Sequence, residues 1–155
     1  MERWESVFAD DETDFFDDLD FRGLNVDEAI FYLLSEFRPP PSRPAFEGFL
    51  TLLSNRYSAQ CGDGALADEE TVYVLAHSVM LLSAAAHAAP RVPLTLTKEV
   101  WIDSIAQTVS VPPELYAVLE GMYDRVLRRP PVSLLRLPSA LSQQRRRSCC
   151  WRLCL

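Results

Sequence analysis

Residues 69–89, EETVYVLAHSVMLLSAAAHAA, place apolar side chains on nearly every side of a helix wound at 3.6 residues per turn. Such a helix has to be covered by other elements. The chain holds no 18-residue run that is apolar throughout, which argues against a membrane span. The stretch therefore predicts a central buried helix around which everything else is arranged. Asp68 is placed to cap its start, Pro90 and Pro93 end it, and His87 is placed to satisfy carbonyls at its close.

The neighbouring stretches supply the cover. Val26, Ala29, Ile30, Leu33, Leu34 and Phe37 repeat close to i, i+3, i+4, i+7 and predict an amphipathic helix. Asn25 precedes it with Glu28 three residues on, the pattern of a capping box. Before that, FFDDLDF (15–21) predicts a short helix from Phe15, Phe16, Leu19 and Phe21. A further helix restarts near Pro44, where a missing N–H costs nothing, with Phe46, Phe49, Leu50, Leu53 and Tyr57 as its stripe. CGDG (61–64) is a loop. Thr97 is placed to cap KEVWIDSIAQ, with Val100, Trp101 and Ile105 turned inward. VPPELYAVLEGMYDRVL makes a last helix with Leu115, Val118, Leu119, Met122 and Val126 inward, although Gly121 costs about 1 kcal/mol against alanine. No strand pattern and no repeat is present, so the fold class is all-α.

With 155 residues, 48% hydrophobic and 24% charged, the chain suits one globular domain. Its net charge of −7 is unevenly spread. Residues 128–155 carry 7 arginines and no acid, while the other 8 basic residues share residues 1–127 with all 22 acids, a net −14. An acidic body repels nucleic acid, and a protein or membrane partner fits better. Residues 1–13 read as an acidic lead-in without a signal-peptide layout, which points to the cytoplasm. Residues 128–155 read as a loosely ordered Pro/Arg/Cys-rich tail. Three of the four cysteines (Cys61, Cys149, Cys150, Cys154) crowd the last seven residues, which is no disulfide framework. No Cys/His spacing suits zinc, and no catalytic triad, glycine-rich phosphate loop or paired carboxylate set stands out. No cofactor is expected. Cys149 and Cys150 beside Arg145, Arg146 and Arg147 are candidate acylation sites, which would place the chain peripherally at anionic membranes; the alternative is a tail with no such role.

The break between the first two amphipathic helices, FRPPPSRPAFEGF (37–49), is the last constraint. Pro39, Pro40, Pro41 and Pro44 forbid continuous helix there. Taken in order, DFRGLNVDEAI, SEFRPPPSRPAFEGFLTLLSNRY, TVYVLAHSVMLLSAAAH and TKEVWI resemble the Sec-seven domain of guanine-nucleotide exchange factors for ADP-ribosylation-factor (Arf) GTPases, the cytohesins among them. The resemblance covers residues 14 to 127, and the chain resembles the C-terminal half to two-thirds of that domain. It implies a right-handed superhelical array of helices and an Arf-type GTPase as partner, in membrane trafficking.

The resemblance also implies two adjoining features. One is a loop carrying a glutamate that opposes the magnesium and the β-phosphate of the GTPase nucleotide. The other is an apolar groove along the central helix. The loop is Arg38, Pro39, Pro40, Pro41 and Ser42, and Ser42 stands where the family has its glutamate. A hydroxyl is neutral, so exchange is expected to be weak or lost. The groove positions are Tyr73, His77, Met80, Leu81, Ala85 and Ala88, with His77 where phenylalanine is usual. Taken without the family, the same residues read as ordinary core, Ser42 as a helix cap, and the chain as a non-catalytic helical interaction module or a truncated product without function.

Overall fold

The structure, a computed structural model, describes residues 18–36, 42–62, 66–87 and 96–129. These form α1 (Val26–Glu36), α2 (Arg43–Cys61), α3 (Glu69–His87), α4 (Lys98–Thr108), a 3₁₀ turn at Pro113–Leu115 and α5 (Tyr116–Arg128). Among the described residues there is no strand, so the chain is all-α. The end of the 15–21 stretch, residues 18–21, is turn and irregular chain rather than the expected short helix, and the rest of that stretch lies outside the described residues.

Four starts follow the capping chemistry that the sequence carries. The Asn25 N–H donates to Glu28 Oε2 at 2.8 Å. Ser42 Oγ accepts from the Ala45 N–H at 3.4 Å, with Pro44 in the first turn of α2. Asp68 Oδ1 accepts from the Thr71 N–H at 3.0 Å, and Thr97 Oγ1 from the Val100 N–H at 3.4 Å. Each bond satisfies a donor that the first helical turn leaves without an internal partner.

The central position of α3 follows from its composition. It packs against α1, α2, α4 and α5, and Val72, Leu75, Ala76, Val79 and Leu82 are fully buried. Around it lie Ile30, Leu33 and Leu34 of α1, Phe49, Leu50 and Leu53 of α2, Trp101 and Ile105 of α4, and Leu119, Met122 and Val126 of α5. Each large side chain withdrawn from water contributes about 1.5–3 kcal/mol, so the stability of the assembly is concentrated on this one helix. No helix among the described residues is long and apolar enough to cross a membrane.

Two expected inward residues face solvent. Val100 is 53% exposed and Val118 37%. The inward rows run through Trp101, Ile102 and Ile105 on α4, and through Leu119, Met122, Tyr123 and Val126 on α5. In each case the valine sits one residue before the row, about 100° around the helix. His87 also differs from expectation. Its Nε2 lies 2.7 Å from the Val126 carbonyl of α5, not from a local one. A carbonyl only accepts, so Nε2 carries the hydrogen and His87 fastens the end of α3 to the end of α5.

The chain before α1 is held by side chains of α2. The Phe21 N–H donates to Gln60 Oε1, and Gln60 Nε2 donates to the Leu19 carbonyl, both at 2.7 Å. Arg56 Nε donates to the same carbonyl at 3.1 Å, and Tyr57 Oη donates to the Leu24 carbonyl at 2.7 Å. An irregular segment with Leu19 and Phe21 in the core has no ladder of its own, so these side chains satisfy its backbone. Gly23 lets the chain turn, at φ +80°, into α1.

Candidate functional site

The outer side of α3 differs from its core side. Tyr73, His77, Leu81 and Ala85 recur every four residues and are half-buried, whereas Met80 is 5% exposed and points into the core. Four-residue spacing drifts slowly around a helix, so these four side chains form one continuous stripe. The structure therefore brings four of the expected groove residues onto one accessible face and assigns Met80 to the layer beneath it. Ala88 lies outside the described residues.

The start of α2 borders this stripe. Phe46 lies against His77 with ring centroids 6.3 Å apart, and against Phe49 at 6.5 Å. Ser42 is one turn before Phe46, whose N–H donates to the Ser42 carbonyl at 2.9 Å. Ser42 thus adjoins the stripe through a single turn of helix. Arg38, Pro39, Pro40 and Pro41 lie outside the described residues, as do Cys149 and Cys150.

Ser42 does here what its chemistry permits. It is exposed, and its hydroxyl oxygen accepts the Ala45 N–H as the cap of α2. The nearest described carboxylate along α2, Glu47, is held by Arg43 Nε at 2.8 Å. That pair flanks His77. Burial holds the His77 imidazole below its ordinary pKa, Arg43 lowers it further, and Glu47 partly offsets both. The neutral form of the ring is thus favoured.

Further along the same face is an open cleft of about 310 Å³ lined by Thr51, Ser54, Glu69, Glu70 and Tyr73. Its walls come from the middle of α2 and the first two turns of α3. Glu69 and Glu70 are exposed where the positive end of the helix dipole favours carboxylates. Ser54 Oγ is already committed to the Thr51 carbonyl at 3.0 Å. Among the described residues no cluster of three or more histidine, cysteine or acidic side chains is arranged to hold a metal ion.

Sequence reasoning missed the α2 half of the face. Phe46 read as one more member of a core stripe, and nothing in its spacing distinguished it from Phe49. Arg43 and Glu47 stand four residues apart, but their pairing beside His77 depends on how α2 crosses α3.

Known proteins give this arrangement a context. Residues 12–130 match the family model of the Sec7 domain. The chain is 30% identical over 117 residues to brefeldin A-inhibited guanine nucleotide-exchange protein 3 of Arabidopsis thaliana, covering 74% of this chain and 6% of that protein. It is 34% identical over 89 residues to the ADP-ribosylation factor guanine nucleotide-exchange factor sec72 of Schizosaccharomyces pombe, covering 57% of this chain and 5% of that one. It thus spans a small fraction of the length of these curated relatives. Among solved structures it superposes on a Sec7 domain bound to ARF1-GDP and complexed with brefeldin A. The TM-score is 0.67 at 26% identity, over 86% of this chain and 69% of the other. With a family match over most of its length and the same fold in a solved domain, the chain belongs to the Sec7 domain family.

Proposed function

We propose that this chain docks an Arf-type GTPase on the face made by the α3 stripe and the start of α2, and that it promotes nucleotide exchange weakly or not at all. The docking part is supported by the accessible stripe of Tyr73, His77, Leu81 and Ala85 beside Ser42, in a domain whose solved relative is bound to ARF1-GDP. The observation that carries the weak-exchange part is Ser42. Its oxygen is neutral and occupied in capping α2, and Glu47 is tied to Arg43. Exchange by repulsion needs a negative charge brought against the phosphate and its magnesium, and a capping hydroxyl brings none.

At the limit of that reading the GTPase is held without discharge of its nucleotide. Release of a fluorescent nucleotide from an Arf-type GTPase measures how much exchange remains. The wild-type chain is expected to give release close to that of the GTPase alone, and Ser42→Glu to raise it about tenfold or more, where each decade is about 1.4 kcal/mol of barrier. Clear acceleration by the wild type contradicts the weak-exchange reading. No capture of the nucleotide-free GTPase by either form contradicts docking. Membrane attachment through Cys149 and Cys150 is a separate part of the proposal, supported by the arginines beside them. Hydroxylamine-sensitive acyl labelling, lost in a Cys149→Ser/Cys150→Ser double variant, is its expected signature.

A further inference from the structure

His77 occupies the centre of the α3 stripe, one turn from Tyr73 and one from Leu81, with Phe46 of α2 against its ring at 6.3 Å. An imidazole in that place has two characters. Neutral, it is a flat aromatic surface that continues Phe46 and can be covered by an apolar side chain at little cost. Protonated, it is a cation that must stay hydrated. The charges that face it are Arg43 and Glu47, both from α2. They are bonded to each other at 2.8 Å, so a protonated ring finds Glu47 already engaged and Arg43 of like sign beside it. Among the described residues no charged group of α1, α4 or α5 is felt at the ring.

We infer that His77 makes docking on this face pH-dependent, admitting an apolar partner surface while the ring is neutral and opposing it once the ring is protonated. The inference rests on the docking face proposed above and adds its regulation. The sign follows from linkage. A partner that covers the ring disfavours its charged form further, so the complex binds fewer protons than the free chain, and affinity falls as the pH drops through the free ring's pKa. Burial and Arg43 both hold that pKa below the ordinary histidine value, so the loss is centred at more acid pH than an ordinary histidine would give. Far enough below it, the fall approaches about tenfold per pH unit.

The test is the Kd for a nucleotide-free Arf-type GTPase at pH 7.5 and pH 5.0, measured with the full chain as wild type and as His77→Phe, which keeps an aromatic surface and cannot titrate. The GTPase and every other group of the chain titrate alike in both. The wild-type Kd is expected to rise by a factor at least about three times larger than that of His77→Phe. Parallel profiles overturn the inference while leaving docking intact, and loss of binding through acid unfolding of both proteins counts as parallel. Absence of binding by the wild type at pH 7.5 overturns the docking face itself, and this inference with it.

Discussion

Among the described residues, the Ser83 hydroxyl is buried without a hydrogen-bond partner. It lies on the core side of α3 at 1% exposure. An unsatisfied buried hydroxyl costs about 1–3 kcal/mol, and replacing it by hydrogen leaves only a small void. Ser83→Ala is therefore expected to stabilise the chain by about 1 kcal/mol, read as a shifted urea midpoint at unchanged slope. A loss of stability would mean that the hydroxyl has a partner after all. Ser42 presents the opposite case, an exposed oxygen that is used. Ser42→Ala removes the cap of α2 and should cost about 0.5–1 kcal/mol. It should leave nucleotide release unchanged, because it removes no charge. The alanine and glutamate substitutions thus separate the two roles of one position, stability in the first and exchange in the second.

Between elements, the tie from α2 to the chain before α1 gives a pH signature. Tyr57 donates to the Leu24 carbonyl, and burial pushes its phenol up to about 12. An unfolded tyrosine releases its proton near 10, so between about 10 and 12 the unfolded state binds fewer protons than the folded one. The contribution of Tyr57 is complete below pH 10 and is lost as the pH rises towards 12. Burial also raises Tyr123, so ultraviolet titration of phenolate should show a late component that Tyr57→Phe reduces. A single transition near 10 would show that the phenol is not held. This tie was not legible in the sequence. Tyr57 read as an apolar stripe residue and nothing marked Gln60, because what they bond is backbone 33 to 41 residues earlier.

Across the whole molecule, the first turn of α1 and the last turn of α5 are joined by Asp27 and Arg125. Arg125 Nε and Nη2 reach the two carboxylate oxygens at 2.7 and 2.9 Å. Asp27 is fully buried, while 36% of the Arg125 side chain is exposed. The consequences of cutting the pair are therefore unequal. Arg125→Met strands a buried carboxylate and should cost about 3 kcal/mol. Asp27→Leu frees an arginine that can turn to water and should cost less. Urea unfolding of both variants measures the difference, and equal losses would contradict it. The pair also bears on Gly121: a Cβ there would meet Arg125 Nη1 at 3.2 Å and crowd the guanidinium. In the sequence Gly121 was only a cost to the helix.

What the sequence determined by itself was local and periodic. An apolar stretch at 69–89 required a central helix, capping residues marked four helix starts, and prolines marked the breaks, because each of these depends on groups within one or two turns of each other. The ordered similarity of the segments pointed to the family, and the position of Ser42 within the loop to a doubt about its chemistry. The tertiary structure decided which side of each helix met which neighbour. It turned Val100 and Val118 outward, took Met80 into the core, set Phe46 and the Arg43–Glu47 pair against His77, and carried His87 to α5. Spacing fixes direction around one helix to within about 100° per residue. It contains no information on where a second helix crosses, and the candidate site lies at such a crossing.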